Sequence, residues 1–176
     1  MNESQIAVMN DLQKNQQILT FQVNDENFGI EILKVKELME YSSITKVPLV
    51  PDHIRGVINL RGKVIPVIDL HFIFSGKAAE TTKKTCIIIA ESNDNEKAGT
   101  AGILVDNVNE VLDVSDRDIE PTIDFGTAYN SSFILGMAKI KENIIILLDM
   151  DYVLSLGQTA TPGAFDTSFF RHLQAV

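Results

Sequence analysis

Residues 56–70 read GVINLRGKVIPVIDL, and residues 136–150 read GMAKIKENIIILLDM. Laid over each other at an offset of 80, Gly56 meets Gly136, Ile65 meets Ile145, Asp69 meets Asp149, and seven further positions pair apolar with apolar. Both stretches follow one plan: an apolar run, a short polar knot, a second apolar run rich in β-branched residues, and an aspartate. That is the pattern of a β-hairpin. A second self-match comes earlier in each half: GIEILKVKEL (29–38) aligns on GILVDNVNEV (102–111) at an offset of 73, so that Gly29, Ile30, Val35 and Glu37 meet Gly102, Ile103, Val108 and Glu110. The change of offset needs only a longer loop in the second half, within residues 113–131. Two matches in the same order point to an internal duplication.

The rest of the chain supports a mainly β protein. Runs such as ILTFQV, TCIIIA, AGILVD and IIILLD have the length and β-branched content of strands, with turn signals between them at VNDEN (23–27), LRGK (60–63), ESNDNEKAG (91–99) and KEN (141–143). Helix is expected only at LKVKELMEY (33–41), DMDYVLSL (149–156) and, as a last turn, DTSFFRHL (166–173). A unit of about five strands in about 60 residues has the size of a small SH3-like barrel and buries only about 60% of its surface alone, so two such units gain by packing together. The expected architecture is two packed SH3-like five-stranded barrels, residues 16–80 and 81–156, with a mobile arm over 1–15 and a tail over 157–176. Whether strands exchange between the barrels is open at this point.

Composition excludes several functions. With 15 basic and 24 acidic residues the net charge is -9, a field that repels nucleic acid and anionic lipid. The N-terminus lacks a basic and apolar leader, and no apolar run approaches the roughly 20 residues of a membrane span. Cys86, the only cysteine, reads as a small buried hydrophobe and offers no intrachain disulfide. A cytoplasmic protein without membrane insertion is expected.

Chemistry is hard to find. The knot Arg61-Gly62-Lys63 ends in Gly-Lys, but Gly56 and Gly62 have the wrong spacing for a phosphate loop, and Val64 stands where a magnesium-binding hydroxyl is required. His53, His71 and His172 have no metal-ligand spacing, so neither metal nor cofactor is expected. No nucleophile motif or carboxylate pair suggests catalysis. The remaining candidates are Glu37 and Arg61, where the fork of a guanidinium suits a carboxylate. They form either a structural ion pair, repeated by Glu110 and Lys141 in the second half, or a direct contact with a partner.

FGIEILKVKELMEY (28–41), ITKVPLVPDHIRGVINLRGKVIPVIDL (44–70) and AGILVDNVNEVL (101–112) strongly resemble the CheW family of bacterial chemotaxis coupling proteins, over about Gln17 to Leu156. The resemblance implies a fold of two SH3-like barrels and a non-catalytic scaffold. Such a scaffold couples the cytoplasmic tips of methyl-accepting chemoreceptors to the histidine kinase CheA, whose regulatory domain is itself CheW-like, in receptor arrays at the inner face of the membrane. It also implies receptor contact at Val35, Glu37, Gly56, Arg61 and Gly62, and kinase contact at exposed apolar strand ends, placed near Ile103 and Val105. The tail GQTATPGAFDTSFFRHLQAV (157–176), with Phe169 beside Phe170, extends past the family's last helix; it either docks on its own barrel or adds a partner contact. The competing reading is a small β-barrel enzyme or ligand-binding domain with a pocket between the barrels.

Overall fold

A computed structural model describes residues 2–5, 15–92, 99–120 and 133–157; among these, besides a helical stretch at 3–5, lie eleven strands and two short helices. In order these are β1 (Asn15–Val23), β2 (Glu26–Glu31), β3 (Val35–Glu40), β4 (Ile54–Leu60), β5 (Lys63–Asp69), α1 (Leu70–Ser75), β6 (Cys86–Glu91), β7 (Thr100–Val105), β8 (Asn107–Ser115), β9 (Ile119–Glu120), β10 (Ile134–Ile140), β11 (Asn143–Leu148) and α2 (Met150–Gly157). One sheet has the order β8-β1-β2-β11-β10-β9 and the other β3-β6-β7-β5-β4.

The duplication is visible in the register. Gly56 pairs with Val67 after a bulge that follows Ile54, and Gly136 pairs with Leu147 after the same bulge following Ile134. The parallel contact repeats as well, Gly102 beside Val67 and Gly29 beside Leu147. Asp69 donates its backbone N–H to His53 O at 2.8 Å, and Asp149, 80 residues on, donates to Phe133 O at 2.8 Å. Each aspartate then accepts a backbone N–H of the helix that follows, from Phe72 and from Tyr152, which fixes where the strand ends.

Each sheet curls around its own core. In the five-stranded sheet, Ile58, Ile65, Val67, Ile87, Ile89 and Leu104 converge from four strands, with Met39 of β3 packed against them. In the other, Ile18, Val114, Ala138, Ile145 and Leu147 do the same. The opposite faces meet in a third and larger cluster, the seam between the barrels. Successive residues of β6 therefore alternate, Ile87 and Ile89 into the barrel and Ile88 and Ala90 into the seam. Burial on both faces explains the unbroken apolar run. An aromatic chain runs along the seam, Phe28 stacking on Phe74 at 4.9 Å and Phe133 meeting Tyr152 edge-on at 4.7 Å.

The expected division at residue 80 does not separate the sheets. β1 and β2 belong with β8 to β11, while β6 and β7 belong with β3 to β5, so the strands are exchanged. The reason lies in the links: β2 passes to β3 through the 3-10 turn Ile32–Lys34, and β7 to β8 through Asp106 alone. Neither link folds back as a hairpin, so each carries the chain across the seam into the other sheet.

Two helix expectations also change. Residues 35–40 are a strand, not a helix, because Val35 and Glu37 to Glu40 pair with β6; tertiary pairing overrides the helical propensity of Lys, Glu, Leu and Met. Helix α1 was not expected, although it is the repeat image of α2. The last helical turn expected, 166–173, lies outside the described residues, as do 6–14 of the arm and 158–176 of the tail.

Candidate functional site

Strand β3 is one edge of the five-stranded sheet and β4 the other. Along β3 the side chains alternate: Val35, Glu37 and Met39 are half-buried, and Lys36, Leu38 and Glu40 are exposed. Val35 packs against the seam cluster. At the far end of β4 the chain turns through Arg61 and Gly62, whose φ values of 52° and 85° are both positive, the signature of the two-residue turn that matches strand twist. Gly62 N–H donates to Asn59 Oδ1 at 2.9 Å. A Cβ on Gly62 would meet nothing within 4 Å, so this backbone faces open space.

From that turn Arg61 Nη2 donates to Glu37 Oε2 at 2.9 Å, joining the β4–β5 turn to strand β3 across the open side of the sheet. The guanidinium side chain is 79% exposed and the carboxylate side chain 28%. An exposed pair of this kind contributes about 0–1 kcal/mol, and a non-glycine residue held at positive φ costs about 1–2 kcal/mol. The pair therefore does little for the stability of the fold. Glu37 Oε1, buried and without a hydrogen-bond partner, adds a desolvation cost. Among the described residues the repeat images Glu110 and Lys141 form no ion pair, so the link belongs to the first copy alone.

Gly56 has a different role. It is buried, its φ is 150°, and a Cβ there would fall on the carbonyl oxygen of Thr45. Thr45 and Val57 exchange backbone hydrogen bonds of 2.9 and 2.8 Å, so Gly56 lets the segment before β4 lie against it. Gly136 does the same for the Glu120 carbonyl, 2.8 Å from a Cβ. A feature built into both copies belongs to the construction of the barrels.

The placement of kinase contact near Ile103 and Val105 requires correction. Their side chains are 1% and 0% exposed and lie in the seam, because alternate residues of β7 face the opposite sheet. Five large apolar strand residues face outward among the described residues: Leu38 (49%) with its repeat image Val111 (47%), Val64 (65%) with its image Ile144 (58%), and Leu135 (51%), whose place in the first copy is taken by Arg55. Leu33, in the turn just before β3, is 84% exposed. The seam that the competing reading would make a ligand pocket is occupied by aliphatic and aromatic side chains.

Sequence reasoning also missed a polar hub. Asp69, 1% exposed, accepts from Arg55 Nη1 at 3.1 Å, from Ala79 N at 3.0 Å and from Phe72 N at 3.1 Å, while Arg55 Nη2 reaches Ala79 O. It locks the helix, the strand end and the following loop together. Beside it His53, 1% exposed, lies 3.1 Å from the Leu156 carbonyl through Nε2. Burial holds the His53 pKa below its usual 6.5 against the raising effects of that bond and of Asp52. Burial, with Glu40 nearby, raises the pKa of the Cys86 thiol, which suits an unreactive side chain. Among the described residues no group of three His, Cys, Asp or Glu side chains is placed to hold a metal ion, and no helix is long and apolar enough to cross a membrane.

Residues 17–158 match the family described as CheW-like domain. Chemotaxis protein CheW of Rhizobium meliloti is 38% identical over 137 residues, 78% of this chain and 86% of that protein. Chemotaxis protein CheW of Klebsiella aerogenes is 32% identical over 145 residues, 82% of this chain and 85% of that protein. Among solved structures, the scaffolding protein TtCheW of Thermoanaerobacter tengcongensis superposes with a TM-score of 0.68 at 37% identity, covering 77% of this chain and 90% of the other.

Proposed function

This chain belongs to the CheW family, and we propose that it works by holding a chemoreceptor tip and the histidine kinase CheA at the same time, so that a change in one is felt by the other. It is a chemotaxis coupling adaptor. Its work is binding, in the cytoplasm at the inner face of the membrane, and no step of it calls for turnover.

The observation that carries the receptor side is the Arg61–Glu37 pair, an exposed charge-assisted link across the open edge of a sheet that adds little to stability. Near it lie Val35, two residues before Glu37 but turned by the bulge in β3 toward the seam cluster, and the bare backbone of Gly62. A receptor tip is a helical hairpin. An apolar floor with charges at its rim suits such a helix, with Arg61 and Glu37 free to exchange part of their contact for the partner's polar groups. Gly56 supports this surface from behind through its contact with Thr45.

The kinase side is best served by Leu38, Val64, Val111 and Ile144, which expose apolar side chains in strands. Co-sedimentation with receptor-bearing membranes and purified kinase tests the reading. The wild-type chain should enter the pellet with receptor-bearing membranes and should carry the purified kinase into it; failure to join the receptor membranes, or failure to bring the kinase with it, defeats the reading.

A further inference from the structure

Arg61 stands where hairpin turns rarely put an arginine. Leu60 pairs with Lys63, so Arg61 and Gly62 are the two central residues of the turn, and both have positive φ, 52° and 85°. The first central position of such a turn favours Asn, Asp or Gly, because a Cβ there crowds the backbone. Backbone in a sparsely populated region persists only where its surroundings determine it, and it is a reason to look for a function.

The second copy separates construction from function. Its turn has the same register, Ile140 pairing with Asn143, and Lys141 in the place of Arg61 has φ 57°. Positive φ at the first central residue therefore belongs to the hairpin plan. Two features do not recur. Glu142, in the place of Gly62, does not stand at positive φ. Lys139, in the place of Asn59, carries an ammonium that can only donate, whereas the Asn59 carboxamide accepts the Gly62 N–H at 2.9 Å. Both features coincide with the Arg61–Glu37 bond, which among the described residues also has no image in the second copy.

Asn59 is exposed, so its side chain does not serve the core. Its bond reaches forward three residues and ties the far side of the turn to β4, which limits how far the turn can swing. Arg61 has five N–H donors. One meets Glu37 at 2.9 Å, and the side chain is otherwise largely in water. Fixing the backbone beneath such a side chain removes freedom that a partner's docking would otherwise have to remove.

We propose that Asn59 is a positioning residue: its carboxamide locks the Arg61–Gly62 turn, so that the guanidinium rests on Glu37 and presents its remaining N–H groups to an oxygen acceptor on the receptor. Asn59 itself touches no partner. Its role in binding rests on the reading of Arg61 and Glu37 as receptor contacts.

Asn59→Leu removes the acceptor with nearly the same side-chain outline, and Asn59→Asp keeps it. Two measurements on the full-length chain need no partner. In Asn59→Leu the Gly62 amide should exchange faster, and the Arg61 guanidinium nitrogen signals should move toward those of a free arginine; Asn59→Asp should keep the slow Gly62 exchange. With receptor-bearing membranes Asn59→Leu should bind about fivefold more weakly, the worth of one ordinary hydrogen bond. Kinase capture and the thermal midpoint should stay nearly unchanged. In an Arg61→Ala chain the same substitution should cause no further loss, because Asn59 acts through Arg61. Unchanged Arg61 signals in Asn59→Leu overturn the proposal whatever the membranes do. So does an additive loss in the Arg61→Ala chain, which would make Asn59 a direct contact, and so does an equal fall in kinase capture, which would mark a general structural effect. A wild-type chain that ignores receptor membranes while its Arg61 signals respond to Asn59→Leu would overturn the receptor reading and leave the lock standing.

Discussion

Arg61 reaches 2.9 Å to Glu37 from a turn at the opposite edge of the same sheet. The two residues are 24 apart in sequence, and the contact exists only because β3 and β4 are the two outermost strands of one curled sheet.

Replacing Arg61 by Ala should therefore leave the fold nearly intact, with a stability change of less than about 1 kcal/mol, while co-sedimentation with receptor-bearing membranes falls sharply. Glu37→Gln should do the same. Thermal unfolding and pelleting on the same preparations read the two effects apart; a large loss of stability in Arg61→Ala would return the pair to a purely structural role.

Glycines 56 and 62 should respond in opposite proportion. Gly56→Ala places a Cβ on the Thr45 carbonyl and should cost several kcal/mol, on the order of the larger single-site losses. Gly62→Ala meets open space and should cost about 1 kcal/mol through its positive φ alone. Urea unfolding of the two variants compares them directly.

Asp69→Ala removes a helix cap and leaves the Arg55 guanidinium and the Ala79 N–H without their shared acceptor. A loss of about 3–5 kcal/mol is expected, measurable as a fall in the denaturant midpoint. Leu135 occupies the place of Arg55 in the second copy, so Asp149→Ala should cost less, about 1 kcal/mol for a cap.

His53 gives the protein an acid-sensitive joint. The folded pKa lies below 6.5, so on acidification the unfolded chain takes up a proton before the folded one does. The contribution is complete above the unfolded value of about 6.5 and is lost as pH falls from there toward the folded pKa, with a slope of at most about 1.4 kcal/mol per pH unit. His53→Gln, which has no titrating ring, should be less stable at neutral pH yet lose less stability between about pH 7 and pH 5. Denaturant midpoints at both values decide it, and equal losses in the two proteins would refute the assignment.

Ile103→Ser should unfold the chain, because the side chain is buried in the seam. Val64→Ser and Ile144→Ser should fold normally and weaken capture of the kinase. A folded Ile103→Ser chain that fails only in kinase binding would reverse this assignment.

Much of this protein is written locally. The repeat at offsets of 80 and 73, the hairpins, their turns and the end of β5 at an aspartate all follow from residues near one another, because a hairpin's register is set by its turn and by alternation along its strands. The family resemblance rests on the same short stretches. Helix α1 was legible too, had the image of α2 been carried back across the repeat from Asp149 to Asp69.

Partnership between distant residues was not legible. KVKELMEY has helical propensities and becomes a strand only because β6 lies beside it, and Ile103 looks the same in sequence whether it faces a partner or the opposite sheet. Sequence by itself determined the class, the duplication and the residues available for binding. Tertiary structure alone decided which half supplies each strand, that Glu37 and Arg61 meet while Glu110 and Lys141 do not, and which apolar side chains reach water. The physical reason is that turns and alternation act over a few residues, whereas sheet partnership and burial depend on which surfaces pack once the chain has crossed the seam at Ile32–Lys34 and at Asp106.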